Sequence, residues 1–218
     1  MSRGLGDVYK RQFCGSAGLL KNDRIKKPSY SAFTSFVSET TPPQASITGG
    51  PAQGGFIKDP TPSFGFAAVG PTDAGSTFVC RVDAGTYKPC SPPYTTPALS
   101  NGSHLFYLQA IDAPGNESQI VWRTFTVDTQ PPQTTITAGP SGSTTDATPT
   151  FSFTSSESGS TFRCRFDSQP FAACSGPGQS HTPSTPLSDG AHSFEVRAID
   201  KANNADPTPA KRTFTVAP

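Results

Sequence analysis

Gly75-Ser76-Thr77-Phe78-Val79-Cys80-Arg81-Val82-Asp83 and Gly159-Ser160-Thr161-Phe162-Arg163-Cys164-Arg165-Phe166-Asp167 are one strand written twice in a chain of 218 residues. In each copy the apolar side chains sit two apart, Phe78/Cys80/Val82 and Phe162/Cys164/Phe166. That alternation buries one face and leaves the other wet. The match runs on in both directions. Upstream, Asp59-Pro60-Thr61-Pro62-Ser63-Phe64-Gly65-Phe66 pairs with Asp146-Ala147-Thr148-Pro149-Thr150-Phe151-Ser152-Phe153, and Ser46-Ile47-Thr48-Gly49-Gly50-Pro51 with Thr135-Ile136-Thr137-Ala138-Gly139-Pro140. Downstream, Asn101-Gly102-Ser103-His104-Leu105-Phe106 aligns with Asp189-Gly190-Ala191-His192-Ser193-Phe194, and Ala110-Ile111-Asp112 with Ala198-Ile199-Asp200. Both copies close on Arg-Thr-Phe-Thr-Val, at 123–127 and 212–216. The repeat is about ninety residues long, which is a whole small domain rather than a solenoid unit.

Composition agrees with many short strands. Gly and Pro make up 43 residues, Met and Trp occur once each, and 33% of the chain is hydrophobic. Such a mix starves helices and suits turns, and two small supported cores fit it better than one large core. Pro42-Pro43 and Pro131-Pro132 mark the joints, because proline is pre-extended and cannot donate to a ladder. The expected organisation is a module at 41–129 and a second at 130–218, joined with little slack as a semi-rigid string. The expected fold class is all-β, with two tandem Ig-like antiparallel β-sandwiches and a short N-terminal helical remnant.

The net charge of +1 conceals an asymmetry: residues 1–38 carry seven Lys/Arg against two Asp, and residues 39–218 carry ten against fourteen acids. The mildly acidic repeats give a nucleic-acid partner no electrostatic support. No stretch approaches eighteen consecutive apolar residues, so no membrane insertion is expected. Residues 1–12 have neither periodicity nor turn logic and resemble a non-native leader on a translated fragment.

The F-x-C-R-x-D, the second Cys ten residues on, the G-x-H-x-F and the A-I-D of both copies resemble the bacterial Ig-like repeats of long surface and secreted proteins. The resemblance spans residues 41–218. It implies a β-sandwich with a spacer, display or adhesion role, and no activity.

Cys80 and Cys90 are ten apart, and so are Cys164 and Cys174. Equal spacing at equivalent positions predicts one local disulfide per module. Each such loop is worth roughly 2–3 kcal/mol on a chain-entropy estimate. A zinc site would need a C-x-x-C or a close His pair, and neither is present. Free buried thiols are the remaining alternative. Disulfides imply an oxidising compartment and therefore export. Cys14 is left over, its partner expected upstream.

Gly18-Leu19-Leu20 followed by Lys27-Pro28-Ser29-Tyr30-Ser31-Ala32-Phe33 resembles the closing turn and last helix of a glycoside hydrolase (β/α)₈ barrel. Arg24-Ile25 departs from the glycine common in that turn. The resemblance implies that residues 13–40 are the remnant of an upstream catalytic domain, whose paired carboxylates would precede this chain.

Within the repeats, candidate chemistry reads mostly as structure. His104 and His192 occupy equivalent strand entries, where a catalytic histidine would need an organised nucleophile or carboxylate. His181 reads as an incidental residue of a polar loop. Asp112 with Asn116 and Asp200 with Asn204 form a repeated D-x-x-x-N, open to two readings: calcium ligation or side chains closing their own turns. Asp83 and Asp167 open hairpin turns. Trp122, Tyr87, Tyr94 and Tyr107 are candidates for a sugar-stacking platform. Asn101-Gly102-Ser103 and Asn116-Glu117-Ser118 are formal sequons without meaning in a bacterium. No catalytic residue, cofactor or metal is expected. The expected role is a non-catalytic spacer or display module of a secreted or cell-surface protein. The alternative is an accessory module binding a polysaccharide or cell-surface component.

Overall fold

The computed structural model describes residues 41–69, 75–176 and 178–218. The leader at 1–12, Cys14 and the helix expected within 13–40 lie outside the described residues. Every regular element among the described residues is a strand.

The first sandwich is built from β1 (Gln44–Ile47), β2 (Gly55–Ile57), β3 (Ser63–Phe64), β4 (Phe66–Val69), β5 (Thr77–Val82), β6 (Lys88–Cys90), β7 (Tyr94–Thr95), β8 (Gly102–Ile111) and β9 (Val121–Val127). Its larger sheet runs β2-β9-β8-β5-β6, and the ladders β1-β4 and β3-β7 supply the opposing layer. The second sandwich uses β10 (Thr134–Ala138), β11 (Ser143–Thr144), β12 (Phe151–Ser155), β13 (Thr161–Phe166), β14 (Ala172–Ala173), β15 (Ser180–His181), β16 (Gly190–Ile199) and β17 (Ala210–Val216). Its sheets run β11-β17-β16-β13-β14 and β10-β12-β15. The described residues thus form two tandem immunoglobulin-like β-sandwiches.

Period-two patterning explains the long strands. Along β8, His104, Phe106, Leu108 and Ala110 are buried while their neighbours are not, and β16 repeats this with Phe194, Val196 and Ala198. Two aromatic cores result. Phe64, Phe66, Phe106, Leu108, Phe125 and Val127 form the first. Phe151, Phe153, Phe194, Val196, Phe214 and Val216 form the second at equivalent positions, with Ile136 added. Phe64 stacks on Phe106 at 4.0 Å, and Phe151 on Phe194 at 4.3 Å. Burying each ring contributes roughly 1.5–3 kcal/mol.

One feature departs from purely antiparallel pairing: β2 runs parallel to β9, and β11 parallel to β17. The cause is a sharp turn that carries the entering chain from one sheet to the other. Gly50 and Gly139 adopt φ of 105° and 123° there. A side chain at Gly139 would also collide with the Phe151 ring, so glycine is required twice over.

Disulfides join Cys80 to Cys90 and Cys164 to Cys174, with Cα separations of 6.0 and 5.2 Å. The first ties β5 to β6, and the second ties β13 to the residue after β14. The connection between the sandwiches is short and bonded. Thr129 donates its N–H and hydroxyl to Asn101 Oδ1, and Asn204 Nδ2 donates to the Asp128 carbonyl at 2.8 Å. The Lys201 ammonium lies 5.2 Å from the centre of the Phe56 ring.

Candidate functional site

His104 and His192 are pins. His104 Nδ1 meets Asp83 Oδ2 at 2.8 Å, and its Nε2 meets the Ser100 carbonyl at 2.8 Å. His192 repeats this with Asp167 and Ser188, both at 2.8 Å. The aspartates sit at φ of 53° and 49°, and each also accepts a backbone N–H, from Leu105 and Ser193. Both ring nitrogens therefore face acceptors, which favours the imidazolium. Burial opposes the charge on His104, but Asp83 and the Ser100 carbonyl outweigh it and raise its pKa. The Asp167 carboxylate is the main cause of the raised pKa of His192. With a carboxylate on one nitrogen and a carbonyl on the other, each histidine fastens a hairpin.

A raised folded pKa means that this stabilisation is complete below the unfolded value of about 6.5 and is lost as pH rises through the folded value. The thermal midpoint is accordingly expected to fall as pH rises above about 6.5. A His104→Gln, His192→Gln double variant should flatten that slope; an undiminished slope would refute the pins. His181 opposes them, because burial lowers its pKa, so its contribution fades as pH falls.

The D-x-x-x-N motifs close their own turns. Asp112 Oδ1 accepts the N–H groups of Gly115 and Asn116, and its Oδ2 accepts Asn116 Nδ2. Asp200 likewise takes the Asn204 N–H at 2.8 Å and its Nδ2 at 2.7 Å. Asp200 additionally lies with Asp128 and Glu157, one oxygen of each within 4.8 Å of the others. Burial and the two aspartates raise the pKa of Glu157. Three carboxylates supply only part of the six or more oxygens that calcium takes.

The outer face of each larger sheet distinguishes the copies. In the first sandwich Arg81, Tyr107 and Trp122 stand in register on β5, β8 and β9. The Arg81 guanidinium sits 4.1 Å from the Tyr107 ring centre and 5.0 Å from that of Tyr87. Trp122 is 54% exposed. At the same register the second sandwich places Arg165, Glu195 and Lys211. Arg165 Nε donates to Glu195 at 2.9 Å, and Lys211 meets the other Glu195 oxygen at 3.1 Å. Of the four aromatic candidates, Tyr87, Tyr107 and Trp122 share this face. Tyr94 does not: it lies on β7, stacked on Phe106 at 5.9 Å.

His181 corrects the loop reading. It lies on β15, half-buried, with its ring stacked 5.7 Å from Phe194, the place that Tyr94 takes in the first copy. Its Nδ1 accepts the Ser175 N–H. The polar Ser-Pro-Gly surroundings masked a two-residue strand.

Sequence reasoning also missed three residues. Arg123 donates to the carbonyls of Ile47, Gly49 and Pro51, and Arg212 to those of Ile136 and Gly139, clamping the sheet-switching turns. Asp206 is 1% exposed and accepts the N–H groups of Thr134 and Thr208 and the Thr208 hydroxyl. The signal was present as D-P-T, the Asx-turn motif also found at Asp59-Pro60-Thr61.

No protein-family model and no curated protein matches the chain. Among solved structures, the fibronectin(III)-like modules of Clostridium thermocellum CbhA are similar, with 16% identity and a TM-score of 0.51 over 79% of this chain and 94% of that one. The FN1–FN3 domains of chicken CNTN1 align at 11% identity and a TM-score of 0.49 over 82% of this chain and 66% of that one. At these identities the first likeness speaks for the fold alone: tandem fibronectin-III or Ig-like sandwiches.

Proposed function

We propose that the sandwiches, taken as residues 41–129 and 130–218, are non-catalytic modules of an exported or cell-surface bacterial protein. Their role is to hold a neighbouring domain at a set distance from the surface or substrate it serves. The observation that carries this reading is the bonded joint: Asn204 reaches the Asp128 carbonyl, and Lys201 covers Phe56. A stalk needs joints that resist bending, whereas an unbonded polar linker leaves its domains free to reorient. The disulfides support export. The resemblance of residues 18–33 to a barrel's closing segment supports a glycoside hydrolase as the upstream neighbour.

Residual dipolar couplings test the stalk. One alignment tensor is expected to fit both sandwiches of the chain, and two should be needed after Asn204→Ala with Lys201→Ala. Two unrelated tensors in the parent would overturn the spacer reading. Intact mass after alkylation without reductant checks export, with the four repeat cysteines expected to stay protected. A second reading, an accessory module that contacts a polysaccharide or cell-surface component, is favoured by the exposed row containing Trp122.

A further inference from the structure

The row Tyr87–Arg81–Tyr107–Trp122 crosses four neighbouring chain segments, roughly 14 Å at the usual spacing of strands. It combines three π faces with one cation. Arg81 makes no ion pair among the described residues, and its buried Nε and the buried Tyr87 hydroxyl have no protein partner. The second sandwich differs at the equivalent arginine, although Arg197 there also lies over Phe171, at 4.5 Å, with its buried Nε unpartnered. There the equivalent arginine, Arg165, also lies over an aromatic ring, Phe171, at 4.3 Å. Its Nε, the atom orphaned in Arg81, donates to the Glu195 carboxylate. Glu195 occupies the register position of Tyr107, and Lys211 that of Trp122. One copy thus carries its own carboxylate for this arginine, and the other replaces it with rings. Glu117, the acid near this face, is held by Gln109 Nε2 at 3.0 Å.

We propose that the outer face of the first sandwich binds an acidic glycan, a chain of sugars bearing carboxylates. Trp122 and Tyr107 take the apolar faces of successive rings, and Arg81 takes a carboxylate through its terminal nitrogens, its Nε being buried and the Glu195 position being filled by Tyr107. Charge complementarity selects the occupant. A neutral glycan would leave the guanidinium uncompensated. A nucleic acid would bring about one charge per 1.7 Å of duplex to repeats that are net acidic. Aromatic rings with an adjacent cation suit a sugar ring that offers an apolar C–H face and a sparse negative charge. The proposal rests on the accessory-module reading and names its site.

Trp122 is the only tryptophan in the chain, so its emission reports this face and no other. The experiment titrates the whole chain with oligogalacturonate, oligoguluronate and hyaluronate oligomers, and with cello- and chito-oligosaccharides as neutral probes. Fluorescence and calorimetry are read together at low and high salt. Expected are an emission change with at least one acidic oligomer, weakening at high salt, and no response to the neutral ones. Arg81→Gln should reduce affinity about tenfold or more, equivalent to about 1.4 kcal/mol, and Trp122→Ala should remove the calorimetric signal. Arg81→Lys should recover part of the loss, and Arg165→Gln should leave binding unchanged. Dichroism confirms that each variant is folded. Silence from every oligomer overturns both the site and the accessory-module reading. Binding that survives Trp122→Ala and Arg81→Gln overturns this site while sparing that reading. Equal response to neutral oligomers overturns the acidic class.

Discussion

Replacing Phe194 with alanine is expected to lower the stability of the second sandwich by about 3–5 kcal/mol and to leave the first one standing. Phe194 is 0% exposed and touches the rings of Phe151, Phe153, Phe166 and His181. Its removal opens a hole between two sheets that the small residues nearby cannot fill. The two cores share no residue, so the damage should remain local. Trp122 emission follows the first sandwich, and far-ultraviolet dichroism follows both. In denaturant the variant should show an early dichroism step while the Trp122 transition keeps its midpoint. A joint shift of both signals would show that the cores unfold as one unit.

Asp206→Ala should cost about 2–4 kcal/mol, since hydrogen bonds to a charged group are lost and the Thr134 N–H is left without its acceptor. The carboxylate fastens β10, the first strand of the second sandwich, to the segment between β16 and β17. Burial works against its charge, but the bonds from Thr134 and Thr208 outweigh it and lower its pKa. A lowered folded pKa gives stability that is complete above the unfolded value of about 3.9 and is lost as pH falls through the folded value. The alanine variant should therefore be weaker near neutrality and lose part of the parent's acid sensitivity. Asp206→Asn, which retains one acceptor, should fall between. Equilibrium unfolding checks the order, and a change below about 0.5 kcal/mol in the alanine variant would rule out the fastening role.

The architecture was legible because phenylalanine at alternate positions can satisfy only a strand, and because duplication separates signal from accident. Phe64/Phe66 and Phe151/Phe153 point inward for the same reason in both copies. What escaped were long-range polar contacts. Arg123 and Arg212 lie at the inward parity of their strands and satisfy turn carbonyls more than seventy residues away. Nothing local announces such a partner. Asp206 stands where the first copy has Ser118, whose hydroxyl accepts the Ala110 N–H; in the second copy the equivalent Ala198 N–H goes to the Thr134 hydroxyl, so alignment alone did not reveal what the aspartate fastens. The aromatic row was legible as a list of rings. Its membership was not, because nothing local to Tyr94 says that it lies on the opposing layer facing the core while Tyr107 lies on the outer face of the larger sheet.

The sheet-switching turn at Gly50 and Gly139 also determines which strand edge is left open to a neighbour. By laying β2 against β9 and β11 against β17, it covers the margin where the last strand would otherwise offer unpaired amides and carbonyls to another molecule. The cover is short, two or three residues at the end of β9 and of β17, and it moves the open edge of each sheet onto β2 and β11.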